Sequence, residues 1–331
     1  MQKTTVVKIV WILCYVFLIV VCLNWLRREF KLSVVPNWGD VNEDIPIIST
    51  RNNFRSGRLA PFYDKYEYAT LGNIPGFMPG TDPPDDLLII IHGFNNNEGK
   101  ASSACGLARD SLLSNEFDGA IIGLSWDADT QLDPTAMIGY HEGRLHAAGN
   151  GRKLSRFIVD YKAMWPDVRI HVLGYSLGTH VALEMLYALE HDRAFSDMPI
   201  LVDSVHLVGA SIDNELVQTD KRYGTAIENR VKYFYNYFST KDKVLGIFYR
   251  IKEGDMALGC WGIQNRDFIP RNYADVDAGP ELKALDSRGN IDSGSTGDNH
   301  LGCLGLRRPT GELVDDGVMN LVAQSIRRQN E

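Results

Sequence analysis

The stretch from Arg169 to Leu186 constrains the fold of this chain most, because it reads as a buried strand, a sharp turn and a helix. Residues 174–178 read Gly-Tyr-Ser-Leu-Gly and match the pattern Gly-x-Ser-x-Gly. In that pattern the serine, here Ser176, lies on a strained strand-to-helix turn that raises its hydroxyl above a sheet. Apolar residues suited to a strand precede the turn and apolar residues suited to a helix follow it: Ile170, Val172 and Leu173, then Val181, Leu183, Met185 and Leu186.

Glycine at positions 174 and 178 predicts that the helix packs closely against the strand. Without Cβ atoms at these positions, the turn can hold Ser176 at unfavourable backbone angles without a clash. Ser176 then lies at a helix N-terminus, where free N–H groups and the helix dipole favour developing negative charge. The stretch therefore predicts a nucleophilic serine beside a helix end that stabilises an anion.

Short apolar runs alternate with helical stretches along most of the chain. Strands are predicted at 87–91, 120–124, 205–208, 231–238 and 272–276, with an early edge strand within 63–71. Helices are predicted at 101–113, about 144–161, after the turn at Ser176, and at 313–326. This alternation predicts an α/β fold with a mostly parallel central sheet, helices on both faces, and ligands bound at the carboxyl ends of the strands.

The N-terminal residues have a different character from the rest of the chain. Ile9 to Leu23 is an uninterrupted apolar run, and it reaches about 21 residues when extended to Val6 and Leu26, enough to cross a bilayer. No small-residue cleavage site follows it, and its aromatic residues occupy all faces, which disfavours a signal peptide and a buried core helix. We therefore expect residues 1–31 to form one transmembrane helix that anchors the chain.

The remaining residues divide into a tether and one domain. Residues 32–60 mix proline, glycine and charged residues and are expected to be a tether that leads into an irregular first part of the domain. Residues 61–331 are expected to form the domain itself, in which the segment near 246–298 is either a cap over Ser176 or surface decoration. The cysteines predict no disulfide framework, although a bond between Cys260 and Cys303 stays open.

The charge of the chain excludes one class of partner. The 331 residues carry a net charge of −8. An acidic protein is repelled by phosphate backbones and by anionic lipid surfaces, so nucleic-acid binding is not expected.

Several of these segments resemble the alpha/beta-hydrolase superfamily, and the resemblance extends from about Ile45 to the end of the chain. Within the superfamily, the sequence is most similar to esterase-like and lipase-like serine hydrolases with a His-Gly-aromatic loop after an early strand. The matching segments are 91–96 (Ile-His-Gly-Phe-Asn-Asn), 124–126 (Leu-Ser-Trp), 174–178, and 237–245 (Tyr-Phe-Ser-Thr-Lys-Asp-Lys-Val-Leu). The resemblance implies the alpha/beta-hydrolase fold and the chain order nucleophile, acid, histidine.

This chain order places the partners of Ser176 downstream of it. We expect Asp242 to be the acid, because it follows the strand predicted at 231–238 and so lies at a carboxyl end. Asp213, on the loop after the preceding strand, is the alternative acid. For the base, the resemblance implies a histidine ahead of the last helix, and His300 is the only histidine C-terminal to Asp242.

In such a site, Ser176 attacks the substrate, His300 accepts the serine proton, and Asp242 holds the imidazole in one tautomer. The main-chain N–H groups of Phe94 and Leu177 are expected to form the oxyanion hole. This chemistry requires no metal ion and no organic cofactor.

The sequence thus favours a membrane-anchored serine hydrolase that cleaves carboxylic esters, lipid esters among them, through an acyl-enzyme. Its expected partners are a small-molecule ester or lipid substrate and the membrane. A thioesterase, amidase or acyltransferase of the same fold would carry the same residues. A hydrolase-fold module that binds without catalysis is the alternative from another class.

Overall fold

The computed structural model describes residues 45–55, 58–59, 64–77, 80–130, 137–285, 291–292, 300–308 and 311–330. Its central sheet has eight strands: β1 (Ile47–Ser49), β2 (Ala69–Leu71), β3 (Asp86–Ile91), β4 (Ala120–Ser125), β5 (Arg169–Tyr175), β6 (Val202–Val208), β7 (Val231–Phe238) and β8 (Tyr273–Asp277). The strand order is β8-β7-β6-β5-β3-β4-β1-β2. Neighbouring strands are parallel except at the edge, where β2 runs antiparallel to β1.

Helices connect the strands. The longer ones are α1 (Glu98–Leu113), α2 (Met137–Met164), α3 (Gly178–His191), α4 (Gly224–Arg230) and α5 (Met319–Asn330). Shorter helical turns lie at Val244–Tyr249, Arg250–Glu253, Leu258–Trp261, Arg266–Phe268 and His300–Gly302. Two-stranded pairs join Phe54–Arg55 to Arg58–Leu59, Ala284–Leu285 to Ile291–Asp292, and Leu306–Arg307 to Leu313–Asp315.

The central strand β3 shows why both faces of the sheet are covered. Successive side chains of a strand point to opposite faces. Leu87, Ile89 and Ile91 are buried in the core that contains α2, α3 and α4. Leu88 and Ile90 are buried in the second core, with α1 and α5. The continuous apolar run is therefore a parallel strand between two helical layers, as the sequence predicts.

The structure differs from the sequence prediction at the start of the domain. Ile47–Ser49, within the segment expected to be a tether at 32–60, is strand β1 and pairs with both β4 and β2. Ile45, Ile47 and Ile48 are buried. A three-residue strand is too short to show an apolar period, so the sequence alone does not predict it.

The last helix begins later than predicted. Leu313–Asp315, at the start of the helix predicted at 313–326, instead pairs with Leu306–Arg307 as a short hairpin. Gly317 has a φ of 59°, and a Cβ at this position would lie 2.4 Å from the carbonyl oxygen of Cys303. This left-handed residue separates the hairpin from α5, which therefore starts at Met319.

The predicted membrane anchor at 1–31 lies outside the described residues. Within the described ranges, none of the helices combines the length and the apolar character that a bilayer span requires. The described part of the segment near 246–298 contains helical turns and the edge strand β8. Cys260 and Cys303 are not joined by a disulfide in this structure.

Candidate active site

Ser176 directly follows β5 at the carboxyl edge of the sheet. Its φ of 52° lies in the left-handed region, which residues other than glycine rarely adopt. The Ser176 N–H donates to the Val208 carbonyl at 3.0 Å. The Thr179 N–H and hydroxyl both donate to the Ser176 carbonyl, at 3.1 and 2.6 Å. Hydrogen bonds on both sides therefore hold Ser176 in a strained conformation.

The glycines on either side of Ser176 make this turn sterically feasible. A Cβ at Gly178 would lie 2.6 Å from the carbonyl oxygens of both Ile91 and His92. A Cβ at Gly174 would lie 3.0 Å from the Gly178 carbonyl oxygen and from Thr179 Cα. The close packing of α3 against the strands, predicted from these glycines, is confirmed.

The structure brings Ser176, His300 and Asp242 together. His300 Nε2 accepts the hydroxyl of Ser176, with 2.9 Å between Nε2 and Oγ. His300 Nδ1–H donates to Asp242 Oδ2 at 2.6 Å. The other carboxylate oxygen, Oδ1, accepts the N–H of Leu245 at 2.8 Å. Three residues far apart in the sequence thus form one chain of hydrogen bonds, and both Asp242 and His300 are buried.

Tyr175 and Gly209 position the His300 ring, and the sequence analysis identified neither. The Tyr175 hydroxyl donates to the His300 carbonyl at 3.1 Å, and the two rings lie 5.4 Å apart. Gly209 has a φ of 55°, and a Cβ there would lie 3.1 Å from His300 Cε1. Glycine therefore supplies both the backbone angle and the space for the ring.

The alternative acid, Asp213, makes different contacts. Its Oδ1 accepts the hydroxyl of Tyr249 at 2.6 Å, and its backbone forms an isolated bridge with Ala257. Burial raises the pKa of Tyr249, so this hydroxyl stays protonated and donates. Of the two carboxylates considered, Asp242 is the one bonded to His300.

The loop after β3 lies against Ser176. A Cβ on Gly93 would be 3.0 Å from Ser176 Cβ and 3.3 Å from the Tyr175 carbonyl oxygen. In the described part of the chain, the backbone N–H groups of Phe94 and Leu177 donate to no backbone acceptor. These are the two donors that the sequence analysis assigned to the oxyanion hole.

Two side chains orient the peptide unit between Gly93 and Phe94. The Gly93 carbonyl accepts His92 Nδ1–H at 2.9 Å and Asn96 Nδ2–H at 3.1 Å. Because the peptide unit is planar and trans, the Phe94 N–H points in the opposite direction from this carbonyl. His92 and Asn96 therefore determine the direction of this donor, a role that the sequence analysis did not assign to either.

His92 keeps one tautomer because both ring nitrogens are engaged. Its Nε2 accepts the Trp126 N–H at 3.2 Å, while its carbonyl accepts Trp126 Nε1–H at 3.0 Å. Burial, together with the nearby Arg51 guanidinium, lowers the pKa of His92 to about 3. The ring is therefore neutral near pH 7. Arg51 also holds the loop after β3, since its Nη2–H donates to the Asn96 carbonyl at 2.7 Å.

An aromatic cluster extends from the loop after β3, which lies against Ser176. The Phe94 ring lies 5.8 Å from that of Tyr140, which lies 6.5 Å from that of Phe248. An ion pair between Arg144 and Glu253 joins α2 to the Arg250–Glu253 turn. The first part of the segment predicted as a cap therefore packs beside the site and is tied to α2.

A match to a family model agrees with this fold. Residues 79–292 match the model of a family described as alpha/beta hydrolase of unknown function (DUF900). Similar solved structures include an acetylxylan esterase (11% identity, TM-score 0.38, covering 76% of this chain and 100% of that chain). A cutinase-like protein from Cryptococcus sp. is also similar (16% identity, TM-score 0.33, covering 74% of this chain and 94% of that chain). So is the catalytic core of an acetyl xylan esterase from Trichoderma reesei (11% identity, TM-score 0.34, covering 75% of this chain and 96% of that chain). No protein with a curated description matches the sequence.

Proposed function

We propose that this chain, which belongs to the DUF900 family of alpha/beta hydrolases, is a serine hydrolase that cleaves carboxylic esters through an acyl-enzyme. The observation that best supports the proposal is the continuous chain of hydrogen bonds from Ser176 Oγ through His300 to Asp242. It lies beside the N–H groups of Phe94 and Leu177, which have no backbone acceptor in the described ranges.

In the proposed reaction, Ser176 Oγ attacks the ester carbonyl carbon while His300 Nε2 takes the hydroxyl proton. The Phe94 and Leu177 N–H groups donate to the oxyanion that forms. Collapse of this intermediate breaks the bond to the alcohol, which leaves with the proton from His300. Water then attacks the acyl-enzyme in the same way and releases the acid, while Asp242 stabilises the imidazolium in both steps.

We favour esters with an apolar acyl group, lipid esters among them, because Phe94, on the loop against Ser176, packs in an aromatic cluster with Tyr140 and Phe248. The direct test is to treat the full chain with a fluorophosphonate and to measure hydrolysis of nitrophenyl esters of graded acyl length. Thioester and amide substrates in the same assay distinguish a thioesterase or amidase. An added alcohol acceptor distinguishes an acyltransferase. A folded protein that neither reacts nor turns over would favour the binding module.

The Asn96→Ala variant is expected to lose about tenfold in kcat, less than the roughly 10²-fold to 10³-fold loss that follows removal of an oxyanion donor itself. The Gly93 carbonyl then keeps only its bond from His92, so the direction of the Phe94 N–H is less firmly fixed. KM should change little, because the donor acts mainly on charge that develops in the transition state. Steady-state kinetics with one nitrophenyl ester measure both constants.

The matched control is Asn97→Ala. Asn97 is the next residue, and its side chain caps α1 by accepting the Lys100 N–H at 2.9 Å, so its loss affects stability and leaves Gly93 untouched. An equal loss of kcat in both variants, or a rise in KM alone for Asn96→Ala, would contradict the positioning role.

We also propose that residues 1–31 anchor the domain in a membrane. The support is the sequence itself, whose apolar run from Ile9 to Leu23 reaches about 21 residues when it is extended to Val6 and Leu26, long enough to cross a bilayer. The full chain is expected to stay in the membrane pellet after alkaline carbonate extraction. A Leu13→Arg/Phe17→Arg variant should be released, because each arginine at the bilayer centre costs about 3 kcal/mol. Complete release of the unaltered chain would contradict the anchor.

A further inference from the structure

A helical segment beside the site exposes an apolar face. The segment starts at Asp242 and continues through the turns Val244–Tyr249 and Arg250–Glu253. Its inward side chains, Leu245 and Tyr249, are buried. Ile247 and Ile251, four residues apart, are 41% and 58% exposed. The segment therefore has one face packed in the domain and another, aliphatic face in water.

The first turn of α2 adds a third exposed isoleucine. Ile138 is 62% exposed, and the ring of Tyr140 in the same turn lies 6.5 Å from that of Phe248 in the segment that follows Asp242. Ile138 and Ile251 are the two most exposed large apolar side chains among the described residues. A single exposed apolar residue needs no explanation, but apolar residues grouped at the mouth of a site indicate a contact surface.

The same segment is basic, although the chain as a whole is acidic. Residues 241–252 contain four cationic side chains, Lys241, Lys243, Arg250 and Lys252, and one carboxylate. That carboxylate is Asp242, which is buried against His300. Glu253, the next acid along the chain, is paired with Arg144 and with Lys252. Lys241, Lys243 and Arg250 are exposed, whereas the net charge of the protein is −8.

We propose that a docking surface, which consists of residues 241–252 and Ile138, binds an anionic lipid bilayer. This binding brings the carboxyl edge of the sheet against the bilayer. Branched aliphatic side chains surrounded by lysine and arginine match the boundary between acyl chains and anionic headgroups. A neutral apolar partner would gain nothing from the cations. The inference goes beyond the proposed esterase activity, since binding of this surface to lipid requires no turnover.

The test is amide hydrogen exchange of the full chain with two kinds of vesicle, phosphatidylcholine alone and phosphatidylcholine with about one third phosphatidylglycerol. Peptides covering 244–253 are expected to exchange about tenfold more slowly with the anionic vesicles at low salt. High salt should remove the difference, because it screens the attraction between the lysines and the headgroups. Residues 1–31 are present in both vesicle samples, so the comparison between the two vesicle types isolates the effect of the anionic headgroups.

Two double variants test the cationic and the aliphatic side chains of the docking surface separately. Lys241→Glu/Lys243→Glu and Ile247→Ser/Ile251→Ser should each remove the slow exchange. The control is Leu113→Ser, because Leu113 is 52% exposed at the end of α1, on the opposite, amino-terminal edge of the sheet. It should leave the protection unchanged.

Equal exchange with both vesicle types would overturn the proposal. Protection without vesicles that grows with protein concentration would also overturn it, because a second copy of the chain would then cover the surface. The exchange measurement detects no catalysis, so an inactive protein that still docks would refute the esterase alone. An active esterase without protection at 244–253 would refute the docking surface alone.

Discussion

Replacing Ser176 with alanine is expected to abolish covalent labelling by a fluorophosphonate and to reduce kcat for ester hydrolysis by about 10⁶-fold. The reagent and the substrate both react with the hydroxyl oxygen of Ser176, which alanine lacks. What activity persists should come from the Phe94 and Leu177 N–H groups and from substrate binding. In-gel fluorescence measures the labelling, and the nitrophenyl esters measure the turnover.

The variant isolates the hydroxyl because serine and alanine meet the same steric restriction at a φ of 52°. Ser211→Ala is a suitable control, since Ser211 is a buried serine on the loop after β6 whose hydroxyl has no partner among the described residues. Labelling that persists in Ser176→Ala would identify another nucleophile. An unlabelled but folded native protein would indicate a module that binds without catalysis.

Local sequence was sufficient to predict the core of this fold. The strands β3, β4 and β5 are continuous apolar runs, and the glycines flanking Ser176 are needed for a close approach that a Cβ would block. The prediction failed where local signals are short or conflicting. Strand β1 has three residues, and the apolar pattern from Leu313 continued across Gly317 into α5.

The residues that position the site could not be predicted in the same way. Tyr175 contacts the carbonyl of a residue 125 positions away, and Gly209 makes room for the ring of that same residue, His300. Asn96 belongs to the matching segment 91–96, but its role depends on which carbonyl its side-chain amide contacts. Residue types and spacing indicate which chemistry is available, whereas these contacts depend on how distant loops meet at the sheet edge.

The Asp242→Asn variant is expected to lower kcat by about 10⁴-fold while the protein stays folded. In the structure, Asp242 Oδ1 accepts the Leu245 N–H and Oδ2 accepts the proton on His300 Nδ1. An asparagine that keeps its oxygen toward Leu245 must turn its NH₂ group toward His300. That donor favours the tautomer with its proton on Nε2, which cannot accept the Ser176 hydroxyl. The measurement is kcat for one nitrophenyl ester, with urea denaturation to verify the fold.

Asp213→Asn is the matched control, because it makes the same chemical change in the other carboxylate considered for the acid. Its expected effect on kcat is less than about tenfold, since Asp213 contacts the Tyr249 hydroxyl and the variant retains an oxygen that can accept it. The fluorophosphonate should also react more slowly with Asp242→Asn than with Asp213→Asn, because labelling depends on the same proton transfer from Ser176. The opposite ranking in both assays would transfer the role of the acid to Asp213 and would require His300 to leave the position in which it donates to Asp242.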